Sequence, residues 1–114
     1  MCWLIQAIRL RLEDTLIKKR ESIMGAVSTW TELPNGEKHG VERGWFPGGR
    51  EEFKCNWING QLVGEQKFYH PYVERVCHRW YCNDTGQHHG PSTYYNEDGS
   101  ILRQEYYVNG IRVN

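Results

Sequence analysis

The sequence lacks an excess of charge of either sign. Its 114 residues include 14 Lys and Arg and 14 Asp and Glu, so the formal net charge at pH 7 is zero. A general nucleic-acid-binding domain normally has a strong basic bias, and this balance therefore argues against a nucleic-acid partner. One pattern argues the other way, because bases and aromatic residues that could stack single-stranded nucleic acid alternate at Arg43, Trp45, Lys67, Tyr69, Arg79 and Trp80.

The sequence also lacks a long apolar run. No stretch approaches the roughly 20 apolar residues that a membrane-spanning helix requires. Arg9 and Arg11 interrupt the apolar N-terminal segment, and no small-residue cleavage site follows it, so this segment does not resemble a secretory signal peptide. We expect an intracellular, cytoplasmic chain, with a virion as the alternative setting.

Cysteines are few and irregularly spaced. The four of them are too few for a disulfide scaffold, and we expect reduced thiols. A zinc site would have to use the cysteines and histidines between residues 77 and 89. Cys77 and Cys82 have the wrong spacing for a zinc knuckle, and neighbouring strand residues point to opposite faces. We therefore expect neither a metal nor a cofactor.

No group of residues has the pattern of an active site. The candidate carboxylates are Glu51 with Glu52, Glu97 with Asp98, and Asp84; the pairs are neighbours in sequence, and most of these residues lie in predicted turns. Paired acid and base catalysts must converge on a cleft, and a thin sheet offers no obvious pocket. We expect no catalytic residues and no enzymatic activity.

The most informative pattern is a repeat. The string Asn-Gly-x-x-x-Gly occurs at 35–40 and 59–64, a relaxed copy follows at 85–90, and the start of another stands at 109–114. A fixed period of this length indicates one supersecondary unit copied along an array. The predicted units are about 36–59, 60–85 and 86–109, with a truncated fourth at 110–114. The first glycines are 24, 26 and 24 residues apart, at Gly36, Gly60, Gly86 and Gly110, and the second glycines are Gly40, Gly64 and Gly90.

Alternating apolar residues between these turns predict antiparallel strands joined as hairpins. Asn-Gly favours a type I′ turn. We expect the second glycines to admit a ring from the adjacent unit, and the turn at 83–86 to absorb the two additional residues of the 26-residue step. Two sets of rings fall at equivalent positions and are expected to form ladders of aromatic contacts, namely Trp45, Tyr69 and Tyr95, and Trp57, Tyr81 and Tyr107.

Residues 2–24 have helical periodicity, and 1–25 is predicted to be an amphipathic helix and docking arm that Gly25 ends. One apolar stripe recurs every four positions and a second at heptad spacing. Three surfaces could bury them: the chain's own sheet, another subunit, or a membrane surface. The residues predicted to contact a partner are Trp3, Leu4, Ile8, Leu10, Leu12, Leu16 and Ile17.

Residues 30–114 resemble the MORN-repeat variant family, whose members were first described as antitoxin-like repeat proteins and are common in bacteria, protists and large DNA viruses. The resemblance lies in Asn-Gly-x-x-x-Gly followed by strand, aromatic residue, turn and strand. It implies an elongated, twisted, single-layer antiparallel sheet that contacts proteins and sometimes lipids, without catalysis. The middle unit departs from the pattern, because it has His70-Pro71-Tyr72-Val73 where the others have a turn glycine.

The sequence therefore predicts a mainly β fold, in which an N-terminal α-helix precedes an elongated antiparallel β-hairpin repeat sheet at 26–114. We expect a non-catalytic protein-interaction or assembly module. The alternatives are a minor capsid or virion component of a giant virus and an antitoxin-like inhibitor of a partner enzyme. Because the sequence stops at the start of a fourth unit, we expect an open edge strand that pairs with a partner or a second copy.

Overall fold

The computed structural model describes residues 16–114, which form one antiparallel sheet. The spatial order is β1-β2-β3-β4-β6-β7-β8-β9-β10, and β5 pairs with β4. Each long strand thus lies beside its neighbour in sequence, which confirms the predicted mainly β, hairpin architecture. The ten strands are β1 (Leu16–Glu21), β2 (Val27–Glu32), β3 (Gly40–Trp45), β4 (Glu51–Ile58), β5 (Gln61–Leu62), β6 (Gly64–Tyr69), β7 (Val76–Cys82), β8 (Gly90–Tyr95), β9 (Ile101–Val108) and β10 (Ile111–Arg112).

The predicted N-terminal helix is wrong. Leu16–Glu21 is strand β1, which pairs with β2 from Leu16↔Glu32 to Glu21↔Val27, and the described residues contain no helix. Backbone pairing with β2 satisfies the same N–H and C=O groups that a helix would satisfy internally, so tertiary structure overrides the local period. A turn with Gly25 at φ +93° follows.

The residues predicted to contact a partner divide accordingly. Leu16 and Ile17 lie in β1, where they are 55% and 82% exposed. They therefore project from a strand and not from a helix face. The remaining five predicted contacts fall outside the described residues, and they are Trp3, Leu4, Ile8, Leu10 and Leu12.

The sheet consists of two copies of a five-stranded unit, β1–β5 and β6–β10. Their strands contain 6, 6, 6, 8 and 2 residues in the first copy and 6, 7, 6, 8 and 2 in the second. Equivalent hydrogen bonds recur 50 residues apart. The backbone N–H of Asn59 donates to His39 Nδ1 and that of Asn109 to His89 Nδ1, both at 3.2 Å. The three-dimensional repeat is therefore a pair of hairpins, twice the unit predicted from the glycines.

The hairpin β6–β7 differs from the other three long hairpins by one residue. Five residues separate Trp45 from its partner Glu51, whereas six, His70 to Arg75, separate Tyr69 from its partner Val76. One added residue sends every later side chain of the strand to the opposite face. Gly64 consequently pairs with Cys82, whereas Gly40 pairs with Trp57.

This shift corrects two predictions. Tyr81 is not equivalent to Trp57 and Tyr107, because it faces the other side of the sheet from them. The 26-residue step is also not absorbed in one turn. One additional residue lies in the loop 70–75, and the other lies between Cys82 and Gly90.

The turns explain most of the repeated glycines. Asn59 and Gly60 have φ of +48° and +80°, and Asn109 and Gly110 have +45° and +85°, as the predicted type I′ turn requires. The turn at Gly36 is different, because only the glycine has positive φ, at +89°.

The prediction that the second glycines admit rings is wrong. Gly40, Gly64 and Gly90 have φ of +105°, +67° and +103°, a backbone conformation that explains the glycines without any ring. A Cβ atom at Gly40 would meet Thr31 Oγ1, and one at Gly64 would meet nothing within 4 Å. The glycine that does lie beneath a ring is Gly44, opposite Phe53.

The two faces of the sheet differ in burial. One face, here called the ring face, has the rings Phe53, Phe68, His78, Trp80 and Tyr94, and it holds the least exposed apolar residues, Cys55, Trp80 and Cys82. Gln66 is fully buried there, where its Oε1 accepts from the Asn56 N–H at 2.9 Å and its Nε2 donates to the Val63 carbonyl at 2.9 Å. The opposite face, which has Arg43, Lys54, Lys67 and Arg79, is here called the cationic face.

Candidate binding surface

The cationic face has four basic side chains in direct register on four adjacent strands. Arg43 pairs with Lys54, Lys54 with Lys67, and Lys67 with Arg79. Because paired residues of an antiparallel sheet point to the same face, these side chains form one line across β3, β4, β6 and β7. This line, Arg43, Lys54, Lys67 and Arg79, is called the cationic row below.

Few negative charges balance the cationic row. Among residues 16–114, Glu65 is the acid that forms ion pairs with it, through Oε1 to Lys67 Nζ at 3.7 Å and through Oε2 to Arg79 Nε at 3.2 Å. Like charges directly opposite one another destabilise a sheet. The four basic side chains of the row therefore share one ion-paired carboxylate, and their like charges lie opposite one another at a cost in stability.

The rings Trp45, Tyr69 and Tyr95 lie beside the row. Each stands two residues beyond a row position on its strand, after Arg43, Lys67 and the equivalent Thr93. The predicted ladder of mutual contacts is wrong, because these strands are two apart, about 9–10 Å, beyond the range of ring pairs. Instead Lys67 Nζ lies 5.9 Å from the Tyr69 centroid, and the Arg79 guanidinium lies 5.9 Å from that of Tyr95.

An open cleft lies between Trp45 and Tyr69. Its volume is about 340 Å³, and Arg50, Glu51 and Glu74 also line it. The cleft thus combines two aromatic walls with charges of both signs. Such a surface is able to receive a side chain of a partner.

The ring face contains a continuous stack. His78 lies between Trp80 and Tyr94, with centroid distances of 4.5 and 4.0 Å, and the Arg103 guanidinium covers the outer side of Tyr94 at 4.2 Å. His78 Nε2 is hydrogen-bonded to Ser92 Oγ at 2.9 Å. Burial, and then the nearby His88, lower the pKa of His78. His78 is therefore packed between two rings in surroundings that favour its neutral form.

Trp57 and Tyr107, two further rings of the predicted ladders, each pack against one side chain that also contacts a second ring. Lys38 Nζ lies 5.2 Å from the centroid of Trp30 and 5.1 Å from that of Trp57. At the equivalent place in the second copy, His88 lies 6.2 Å from Trp80 and 5.1 Å from Tyr107. Trp57 and Tyr107 therefore stabilise the fold through different partners in the two copies.

The described cysteines do not have the properties of nucleophiles. Burial raises the pKa of the Cys55 thiol to about 11, and burial also raises the pKa values of Cys77 and Cys82. Reactive cysteines require the thiolate at neutral pH. Within residues 16–114, no three His, Cys, Asp or Glu side chains are grouped so that they could hold a metal ion.

The structure sorts the basic and aromatic residues singled out in the sequence. It brings Arg43, Trp45, Lys67, Tyr69 and Arg79 to the cationic face and places Trp80 on the ring face. Sequence reasoning missed Lys54. Only the register of β4 against β3 and β6 reveals that Lys54 completes the row.

In the part of the chain that the structure describes, no helix is long and apolar enough to cross a membrane. No family model matches the chain, and neither a curated protein nor a solved structure matches it. The resemblance to MORN-repeat variants therefore depends on the residues of this chain alone.

Proposed function

We propose that this protein is a non-catalytic protein-interaction module built from MORN-like repeats, and that a protein partner binds to its open sheet. The observation that supports the proposal most directly is the composition of the cationic face. This face combines the cationic row with partly exposed rings and apolar side chains. Arginine and aromatic residues are enriched in the centres of protein interfaces.

Exposed apolar side chains on the cationic face lie beside the row and beyond its β7 end. Val41 and Ile58 lie on the β3–β4 side and are 44% and 50% exposed. Leu102 and Tyr106 lie on β9, with exposures of 64% and 39%. An apolar area rimmed by polar groups is typical of a surface that a partner covers.

Peptide selection tests this proposal without knowledge of the partner. The immobilised chain is used to select from a random peptide library displayed on phage, and each recovered peptide is then synthesised and titrated by fluorescence anisotropy. We expect a shared motif whose affinity falls when Leu102 and Tyr106 are both changed to Ser. Absence of a motif in repeated selections, or motifs that bind equally to every surface variant, would contradict the proposal.

A matched control comes from the same strand. Arg103 and Glu105 alternate with Leu102 and Tyr106 on β9 and point to the ring face. The double substitution Arg103→Ser and Glu105→Ser changes β9 to a similar extent, and we expect it to leave the affinity of the selected peptides unchanged. Circular dichroism of both variants checks that the sheet is retained.

A further inference from the structure

We infer that the cationic row binds an acidic, extended segment of a protein partner. This inference rests on the proposed function and names the chemistry of the partner. It depends on three properties of the row. These are its uncompensated charge, its length, and the contacts of Lys67 and Arg79 with the neighbouring rings.

The charge of the row is largely uncompensated by the described residues. The ion pairs of Glu65 reach only Lys67 and Arg79, which leaves Arg43 and Lys54 without an acidic partner among residues 16–114. Arg43 is exposed and Lys54 is half-buried. Carboxylates are suitable ligands, because Arg binds them with a planar fork and Lys with a compact charge.

The length of the row matches a short extended peptide. Adjacent strands are about 4.8 Å apart, so three steps from Arg43 to Arg79 cover about 14 Å. In an extended peptide, side chains on one face recur every 6.8 Å or so, and three alternate acidic residues therefore also cover about 14 Å. The row thus favours alternating acidic residues over a single carboxylate.

The rings beside the row favour a peptide over a single-stranded nucleic acid. Nucleic-acid strands bind to such sheets when their bases stack on open aromatic faces. Here Lys67 lies over Tyr69 and Arg79 lies over Tyr95, each 5.9 Å from the ring centroid. Tyr69 and Tyr95 thus hold Lys67 and Arg79 in place. The two cations remain available for charge recognition, and they obstruct base stacking on these two rings.

The experiment uses a fluorescein-labelled peptide, Gly-Glu-Ser-Glu-Ser-Glu-Gly, and its neutral counterpart with Gln in place of each Glu. Anisotropy titrations with the full chain are made at two salt concentrations. We expect the acidic peptide to bind more tightly than the neutral one, and added salt to weaken its binding because the contacts are exposed ion pairs. Equal affinities for the two peptides would overturn the inference.

Two double variants remove the same net charge from opposite faces. Arg43→Gln with Lys54→Gln removes two charges from the row, and Lys18→Gln with Arg103→Gln removes two from the ring face. We expect the row variant to lose about tenfold in affinity and the control less than twofold, because partly exposed ion pairs act locally. Equal losses in both variants would overturn the inference.

Folding failure does not obscure this test. The row variant relieves like-charge opposition, so its melting temperature should equal or exceed that of the parent chain. A thymidine oligonucleotide that binds more tightly than the acidic peptide would overturn the inference in favour of nucleic acid. If the phage selection instead yields a neutral motif that binds to apolar residues of the cationic face, the proposed function stands and the acidic partner does not.

Discussion

At the residue scale, Gly44 shows why one glycine cannot be replaced. It lies opposite Phe53, and a Cβ atom there would stand 2.6 Å from the ring atom Cδ1 and closer still to Cε1. We expect Gly44→Ala to lower the free energy of unfolding by about 1–3 kcal/mol, because the ring must leave its position. Urea unfolding followed by tryptophan fluorescence measures this change.

A double-mutant cycle separates this clash from other effects of alanine. In a Phe53→Ala background the ring is absent, so Gly44→Ala should cost much less than it does in the parent chain. Equal costs in both backgrounds would mean that the contact between Gly44 and Phe53 is not what excludes a side chain.

Gln66 is the fully buried polar side chain of the sheet. Its amide satisfies the Asn56 N–H and the carbonyl of Val63. We expect Gln66→Ala to lower the free energy of unfolding by about 2–4 kcal/mol, because these groups lose their partners and a cavity opens. Chemical denaturation measures the loss.

Gln104 provides the matched control. It is exposed on β9 and donates to Thr93 Oγ1 at 2.7 Å. Gln104→Ala should change the free energy of unfolding by about 1 kcal/mol or less, since Gln104 is exposed and its truncation opens no cavity. A comparable loss at both positions would indicate that the hydrogen bonds of Gln66 contribute nothing beyond local sheet propensity.

His78 makes stability depend on pH. Burial and His88 lower the pKa of His78, so the unfolded chain takes up this proton at a higher pH than the folded chain does. Its contribution is complete above the unfolded pKa of about 6.5 and is lost as pH falls toward the lower folded value. Glu105 opposes this shift and Arg103 adds to it.

Unfolding in urea at pH 7.5 and pH 5.5 measures the effect. We expect the parent chain to be less stable at the lower pH. His78→Phe keeps an aromatic ring in the stack but cannot be protonated, so the difference between the two pH values should shrink. An unchanged difference would assign the pH dependence to other groups.

At the element scale, the loop 70–75 decides which face of β7 is buried. Its six residues place Trp80 and Cys82 on the ring face and Tyr81 on the cationic face. Deletion of Tyr72 restores the five-residue length of the other hairpins. We expect the deletion to abolish cooperative thermal unfolding, because β7 can then bury Trp80 only with a strained loop.

A substitution at the same place keeps the length. Tyr72 is 81% exposed, and Tyr72→Ser should change stability by no more than about 0.5 kcal/mol. Tryptophan fluorescence during heating distinguishes the two variants. Native stability in the deletion variant would show that the loop length does not set the register of β7.

The first strand shows where prediction from local pattern fails. Leu16 continued the four-residue period of the N-terminal segment, and Ile17 the heptad period. Within the six residues of β1, each period is represented by a single residue. Such weak local evidence for a helix is overridden when the segment pairs as a strand. β5 and β10 escaped prediction for a related reason, since two-residue strands have no measurable period of their own.

At the scale of the whole molecule, the sheet is broad and thin. Its extents are 51 × 40 × 18 Å, and its Cα radius of gyration is 16.5 Å. A compact globular domain of this length has a radius of gyration of about 13 Å. Small-angle X-ray scattering of the reduced, monodisperse chain should therefore give a value well above the compact one. A value near 13 Å would require a folded-over sheet or a second layer.

The sequence by itself determined the turns at Asn59-Gly60 and Asn109-Gly110 and the antiparallel order of the strands. These features depend on neighbours in sequence, such as Asn-Gly turns and alternating side chains. Tertiary structure alone decided the strand β1, the face of Tyr81 and the place of Lys54 in the cationic row. Each of these depends on pairing register, and a one-residue difference in a loop reverses the face without leaving a local signal.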